Sequence, residues 1–199
     1  SNQKTNLPHM LPSKEDWEII ISNLGISNSD HIIVYDNSDV FSSCRVWYSF
    51  LYFGHDPNRV SVLDGDFKKW IKEKRPTTKE IIINNISKYT AVENKSLVIN
   101  KDEVNKNITD KTFQLLDARG ERRFLGLQPE TRKELKSGNI KGSINMPFQQ
   151  LLEKDRTFKK KNELIEIFKN KKVSFEKEMA FTCGSGVTAC ILGLANSII

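Results

Sequence analysis

Cys183 sits in the run Glu178-Met-Ala-Phe-Thr-Cys-Gly-Ser-Gly-Val-Thr-Ala-Cys-Ile-Leu-Gly-Leu-Ala-Asn-Ser197. Its sulfur could serve as a nucleophile, and the flanking residues favour that chemistry. Met179 to Thr182 reads as a short buried strand, and Val187 to Ala195 carries apolar residues at helical spacing. Strand, tight turn and helix in that order place Cys183 at the carboxyl end of a strand. Free N–H groups of the loop and of the first helical turn then face the sulfur. Those groups and the helix dipole favour an anion, lower the thiol pKa and sustain a thiolate. Gly184 and Gly186 let the backbone curl around that charge, and the N–H groups from Gly184 through Val187 and Thr188 to Ala189 act like an oxyanion hole. The plain alternative, a small buried cysteine ahead of an ordinary helix, fits an isolated cysteine better than one followed by Gly, Ser, Gly and Thr.

The elements that must position this loop alternate between strand and helix. Ser13 reads as an N-cap, followed by a helical face of Trp17, Ile20, Ile21 and Leu24, with Gly25 as the stop. His31 to Tyr35 is a continuous apolar run, the pattern of a parallel strand covered on both faces. A helix follows from about Cys44 to Phe53, then a strand at Val60–Leu63 and a short helix at Phe67–Ile71. Residues 79–107, rich in Lys, Asn and Ile, read as a linker with some extended packing around Ile81 to Ile83 and Leu97 to Ile99. Phe113–Asp117 reads as a strand, Arg122–Gly138 as a charged loop, Ile144–Pro147 as a short strand into a turn, and Glu163–Lys169 as a helix. This alternation implies a parallel α/β sheet. His31–Trp47 and Glu178–Leu192 share one plan of strand, polar residue, small polar loop and helix, with Asp36 in the place of Cys183. A carboxylate there cannot accept a sulfur atom, so the first copy is read as catalytically silent.

The 199 residues, 38% hydrophobic and 28% charged, describe an ordinary globular protein of one large or two small domains. No apolar run approaches the length of a membrane span and no secretory leader opens the sequence. The net charge of +6 comes from scattered lysines without interleaved aromatics. That pattern does not support nucleic-acid binding, although it would help attract small anions. Cys44, Cys183 and Cys190 make no disulfide framework, which suits a reducing cytoplasm or an organelle matrix. Three scattered histidines and one loop cysteine offer no metal-ligand spacing, and nothing calls for a cofactor.

Cys183-Gly-Ser-Gly-Val-Thr-Ala189 resembles the active-site loop of the 3-mercaptopyruvate sulfurtransferases, in the tandem rhodanese superfamily. Thiosulfate-preferring rhodaneses are similar but usually carry a basic pair where this chain has Gly184 and Ser185. Val46-Trp47 through Phe53-Gly-His55, Val60–Gly65, Leu116-Asp-Ala-Arg119 and Gly142-Ser-Ile-Asn-Met-Pro147 resemble further signatures of the two domains. Gly138-Asn-Ile-Lys-Gly142 departs from the family's Gly-His-Ile-Pro-Gly. The resemblance implies two rhodanese-like domains, each a parallel sheet flanked by helices. The first, non-catalytic, spans 1–78; the second, catalytic, spans 108–199, with the linker 79–107 between. It also implies that both are incomplete at the chain ends.

By the same resemblance Arg123 and Arg132 bind the donor's carboxylate and carbonyl, a task suited to the guanidinium fork. It assigns Ser185 and His9 to proton handling, with a third member, an aspartate, falling upstream of Ser1. Arg119 is read instead as part of a structural ion pair. The implied reaction moves sulfur from 3-mercaptopyruvate through a persulfide on Cys183 to cyanide or a thiol, thioredoxin being a suitable acceptor, and releases pyruvate. Thiosulfate is the neighbouring donor, and a non-catalytic interaction module is the alternative of another class. A cysteine phosphatase fits poorly, because Ala189 stands where such a loop needs its arginine.

Overall fold

The computed structural model describes residues 7, 9–130, 132 and 135–199. Pro8, in the segment around His9, and positions 131, 133 and 134, in the loop after Arg123, lie outside the described residues. The chain divides into two compact units, residues 1–97 and 98–199.

In the first unit, helix α1 (Lys14–Asn23) starts where the sequence places it, with Ser13 Oγ accepting from the Asp16 N–H at 3.1 Å. Its buried stripe is narrower than expected. Trp17 and Ile21, one turn apart, point inward, while Ile20 and Leu24 are exposed. Trp17 stacks on Phe53 at 4.6 Å and meets Phe50 edge-on at 5.0 Å, which ties α1 to helix α2 (Ser42–Tyr52) and the turn after it. Strands β1 (Ile32–Val34) and β2 (Val60–Val62) pair in parallel, with Ile33 opposite Ser61. Helix α3 (Asp66–Lys72) follows.

Two expectations fail in this unit. The β1 run is not covered on both faces, since Ile33 is 63% and Tyr35 59% exposed while Val34 is buried. Alternate side chains of a strand face opposite sides, and the described elements cover only the Val34 side. The isoleucines at 81–83 do not pack either, because all three are exposed. It is residues 84–94 that dock. The N–H of Ser87 donates to the Ser22 carbonyl, that of Val92 to Phe53 and that of Asn94 to Tyr52. Buried His55 approaches the Tyr89 hydroxyl at 3.2 Å. The stretch 79–107 is thus shared between the units, residues 79–97 lying in the first.

The second unit opens with helix α4 (Lys101–Asp110), which begins inside the stretch 79–107 read as a linker and ends three residues beyond it. A reciprocal capping box starts it, the Asn100 side chain accepting from N–H groups at 102 and 103 and Glu103 accepting from the N–H of Asn100. The sheet has the order β4 (Ile144–Asn145), β3 (Gln114–Asp117), β5 (Met179–Thr182), all parallel. Its register sets Leu116 opposite Phe181 and Asp117 opposite Thr182. Helix α5 (Glu121–Phe124) is a single turn after β3; α6 (Lys161–Asn170) and α7 (Ala189–Ile198) flank the sheet. Leu116, Met146, Leu151, Leu164, Phe168 and Leu192 are fully buried together. Central β3 buries Leu115 and Leu116, whose side chains face opposite sides of the sheet, and Asp117 at its end. It therefore holds its carboxyl end, Asp117, beside that of β5 and the Cys183 loop.

Candidate active site

Ligands of α/β sheets gather at the carboxyl ends of the strands, and the chemistry-bearing residues of the second unit meet there. Cys183 leaves β5 and its loop curls back over the sulfur. The N–H groups of Gly186 and Ser185 donate to Sγ at 3.1 and 3.5 Å. Gly186 has φ +76°, a left-handed conformation that a glycine adopts freely and that aims its N–H at the sulfur. Burial pushes the Cys183 thiol up, but the Thr188 hydroxyl and the N–H groups of Ser185, Ala189 and Gly186 outweigh it, holding the thiol below its ordinary value. Cys183 is half-buried as a residue, and all three cysteines are free thiols. Cys190, in the first turn of α7, donates its thiol to the Gly186 carbonyl at 3.3 Å and so ties the loop to the helix start.

Both predicted arginines reach this loop. Arg132 donates through Nη2 to the carbonyl of Gly184. Arg123, from α5, lies so near that a Cβ on Gly184 would come within 2.9 Å of its Nη2. Cys183, Gly184, Ser185, Gly186, Val187 and Thr188 form the loop itself. Val187 accepts the N–H of Cys190 through its carbonyl, and Thr188 that of Ile191. His9 belongs to the first unit, where it is exposed, has φ +60° and accepts Arg45 Nη2 through its carbonyl at 3.0 Å.

Sequence reasoning missed Glu130. Its side chain is 2% exposed and grips two arginines at once: Arg123 Nη2 at 2.5 Å and Nε at 3.3 Å, and Arg119 Nη1 at 2.7 Å. Arg119 is the structural ion pair anticipated for it. Its Nη2 meets Asp117 Oδ2 at 2.6 Å and the Gly138 carbonyl at 2.8 Å. Arg123 foremost, helped by Arg119, holds the Glu130 carboxyl below the usual carboxylate range against the upward push of burial. Among the described residues, no three His, Cys, Asp or Glu side chains gather in a way that could hold a metal ion.

The first unit repeats the cradle with a different occupant. Asp36 follows β1, and its Oδ2 accepts from the hydroxyls of Ser38 and Ser42 at 2.7 and 2.6 Å and from the N–H of Ser43 at 3.1 Å. A helix start that holds a sulfur in one unit holds a fixed carboxylate in the other.

The rhodanese-like domain family matches the chain over residues 4–73 and again over 100–197. Among curated proteins it is 44% identical to a mouse thiosulfate sulfurtransferase over 189 residues, covering 94% of this chain and 63% of the relative. It is 36% identical to a mouse 3-mercaptopyruvate sulfurtransferase over 192 residues, covering 96% and 64%. This chain thus spans a little under two thirds of the length of these relatives. A crystal structure of SseA from Escherichia coli, from work on the "rhodanese" fold and catalytic mechanism of 3-mercaptopyruvate sulfotransferases, superposes with a TM-score of 0.87 at 31% identity. That match covers 99% of this chain and 72% of SseA. With a strand–cradle–helix unit in each half, a sulfur in one cradle and both segments matched, this chain belongs to the rhodanese-like domain family.

Proposed function

We propose that the chain is a sulfurtransferase that takes sulfur from 3-mercaptopyruvate onto Cys183 as a persulfide and delivers it to a thiol or cyanide. One observation carries this reading. The guanidinium groups of Arg123 and Arg132 both reach Gly184, the residue next to a sulfur that accepts loop N–H groups and whose thiol is held below its ordinary value. A donor whose carboxylate and carbonyl engage those groups presents its own sulfur to Sγ.

The thiolate of Cys183 attacks the donor sulfur and forms the S–S bond. The donor's C–S bond breaks, and its electron pair passes to the pyruvate fragment as an enolate. The arginines stabilise that charge, and a proton added at carbon completes pyruvate. Ser185 is assigned the proton delivery. An acceptor thiolate or cyanide then attacks the outer sulfur and Cys183 leaves as thiolate, an anion the loop N–H groups already accommodate. Thioredoxin fits as acceptor, since a dithiol can take the sulfur and release it as hydrosulfide.

Thiosulfate is the second donor to consider, because identity to the mouse thiosulfate sulfurtransferase exceeds that to the mouse 3-mercaptopyruvate enzyme, 44% against 36%. The loop favours the keto acid. Gly184 and Ser185 bring no cation to a dianion, and a side chain at 184 would meet Arg123.

Intact mass after incubation with each donor tests the reading. The expected result is a gain of one sulfur atom with 3-mercaptopyruvate, removed by cyanide and absent in Cys183→Ala. A folded protein that gains no sulfur from either donor would be a non-catalytic module.

A further inference from the structure

We infer that Glu130 sets the charge selectivity of the Cys183 site, holding it matched to singly charged donors and against doubly charged ones. Its bearing on sulfur donors rests on the sulfurtransferase reading; its effect on the field at Cys183 does not. The Glu130 side chain, 2% exposed, pairs with Arg123 and acts through that guanidinium, which reaches the loop. It accepts two hydrogen bonds from Arg123, at 2.5 and 3.3 Å, and one from Arg119 at 2.7 Å. Asp117 holds the other side of Arg119 at 2.6 Å. The two carboxylates therefore cancel the two arginines. Among the described side chains in this network and loop, that leaves Arg132 as the uncompensated cation, which the Cys183 thiolate balances once the thiol has lost its proton.

A site so balanced attracts a carboxylate through directed hydrogen bonds, with no surplus positive potential. Removing the Glu130 charge adds one positive unit close to the sulfur. The resulting energy scales with ligand charge, so thiosulfate, a dianion, gains twice what the mercaptopyruvate monoanion gains, and a neutral molecule gains nothing. Glutamine in its place still offers one carbonyl to the arginines. Arg119 keeps Asp117 and the Gly138 carbonyl at 2.8 Å, so the corner stays tied.

The test compares alkylation of Cys183 by iodoacetate, an anion, and iodoacetamide, its neutral analogue, in the whole chain. Glu130→Gln should raise the iodoacetate-to-iodoacetamide rate ratio on the order of tenfold. Glu130→Asp, which keeps the charge and alters the reach, should leave that ratio as it was. The thiosulfate-to-mercaptopyruvate ratio of kcat/KM should rise with the alkylation ratio in Glu130→Gln, carried mostly by KM. Equal changes for both reagents, or a ratio moved as far by Asp as by Gln, would reduce Glu130 to a brace for Arg123 and overturn the proposal. If neither donor yields a persulfide, the sulfurtransferase reading falls, and the alkylation ratio still decides the role of Glu130.

Discussion

Arg132 donates a hydrogen bond to the carbonyl of Gly184, so the loop that cradles the Cys183 sulfur is fastened to a group able to bind the donor. Arg132 and Arg123 leave the sulfur's own N–H contacts to other residues. Arg123→Ala and Arg132→Ala should therefore each raise KM for 3-mercaptopyruvate by about ten- to a hundredfold, the worth of a charge-assisted hydrogen bond. The high-pH plateau rate of Cys183 alkylation by neutral iodoacetamide, where the thiol is fully ionised in every variant, should stay at the parent value. Unchanged steady-state kinetics in both variants would remove the arginines from the site.

The thiol of Cys183 is held down chiefly by the Thr188 hydroxyl and then by loop N–H groups, against burial. Its iodoacetamide rate should therefore reach its plateau at a pH below that of an ordinary cysteine. Thr188→Val keeps the shape and removes the hydroxyl, so the profile should move to higher pH while the plateau rate changes little. A parent profile that rises only in the ordinary thiol range would contradict the cradle.

Gly186 carries φ +76° and gives the shorter of the two N–H contacts to Sγ. Alanine there incurs about 1–2 kcal/mol of backbone strain. Gly186→Ala should lower the stability of the second unit by that amount and shift the alkylation profile upward, because relief of the strain swings the N–H away from the sulfur. Circular dichroism melts and the pH series measure the two effects.

The Cys183 loop was legible because its information is local. A strand, small residues and a helix in sequence suffice to make the cradle, whatever surrounds them. Strand β5 and the start of α1 were legible for the same reason. Glu130 was not, because it is one of 25 acidic residues and nothing near it in sequence marks it as buried. Its partners are arginines 7 and 11 residues away, and Arg119 is held in turn by a return of the chain in which Gly138 comes back to accept it and to lie beside Gly126. The half-covered face of β1 was hidden likewise, since an apolar run does not say which neighbours are there to cover it. Helix α4 could have been found: Asn100 and Glu103 spell a capping box, but polar, Lys- and Asn-rich surroundings masked the weak apolar period.

The ion pairs around Glu130 also make the second unit sensitive to acid. Arg123 and Arg119 lower the Glu130 pKa in the folded state relative to the unfolded chain. A group lowered in this way contributes its full stabilisation above the unfolded carboxylate pKa of about 4.3 and loses it as the pH falls through the lower folded value. Stability of the second unit should decline on acidification below that unfolded value, and Glu130→Gln, which has no such proton to take up, should show a shallower decline over the same window. Tryptophan fluorescence cannot read this, because Trp17, Trp47 and Trp70 all lie in the first unit. Hydrogen exchange in peptides covering Leu115–Ala118 and Ile191–Ala195 reads it directly, since these segments hold much of the second unit's buried core. Parallel pH dependences in parent and variant would show that Glu130 has the same proton affinity folded and unfolded, and that its two arginines do not stabilise its charge.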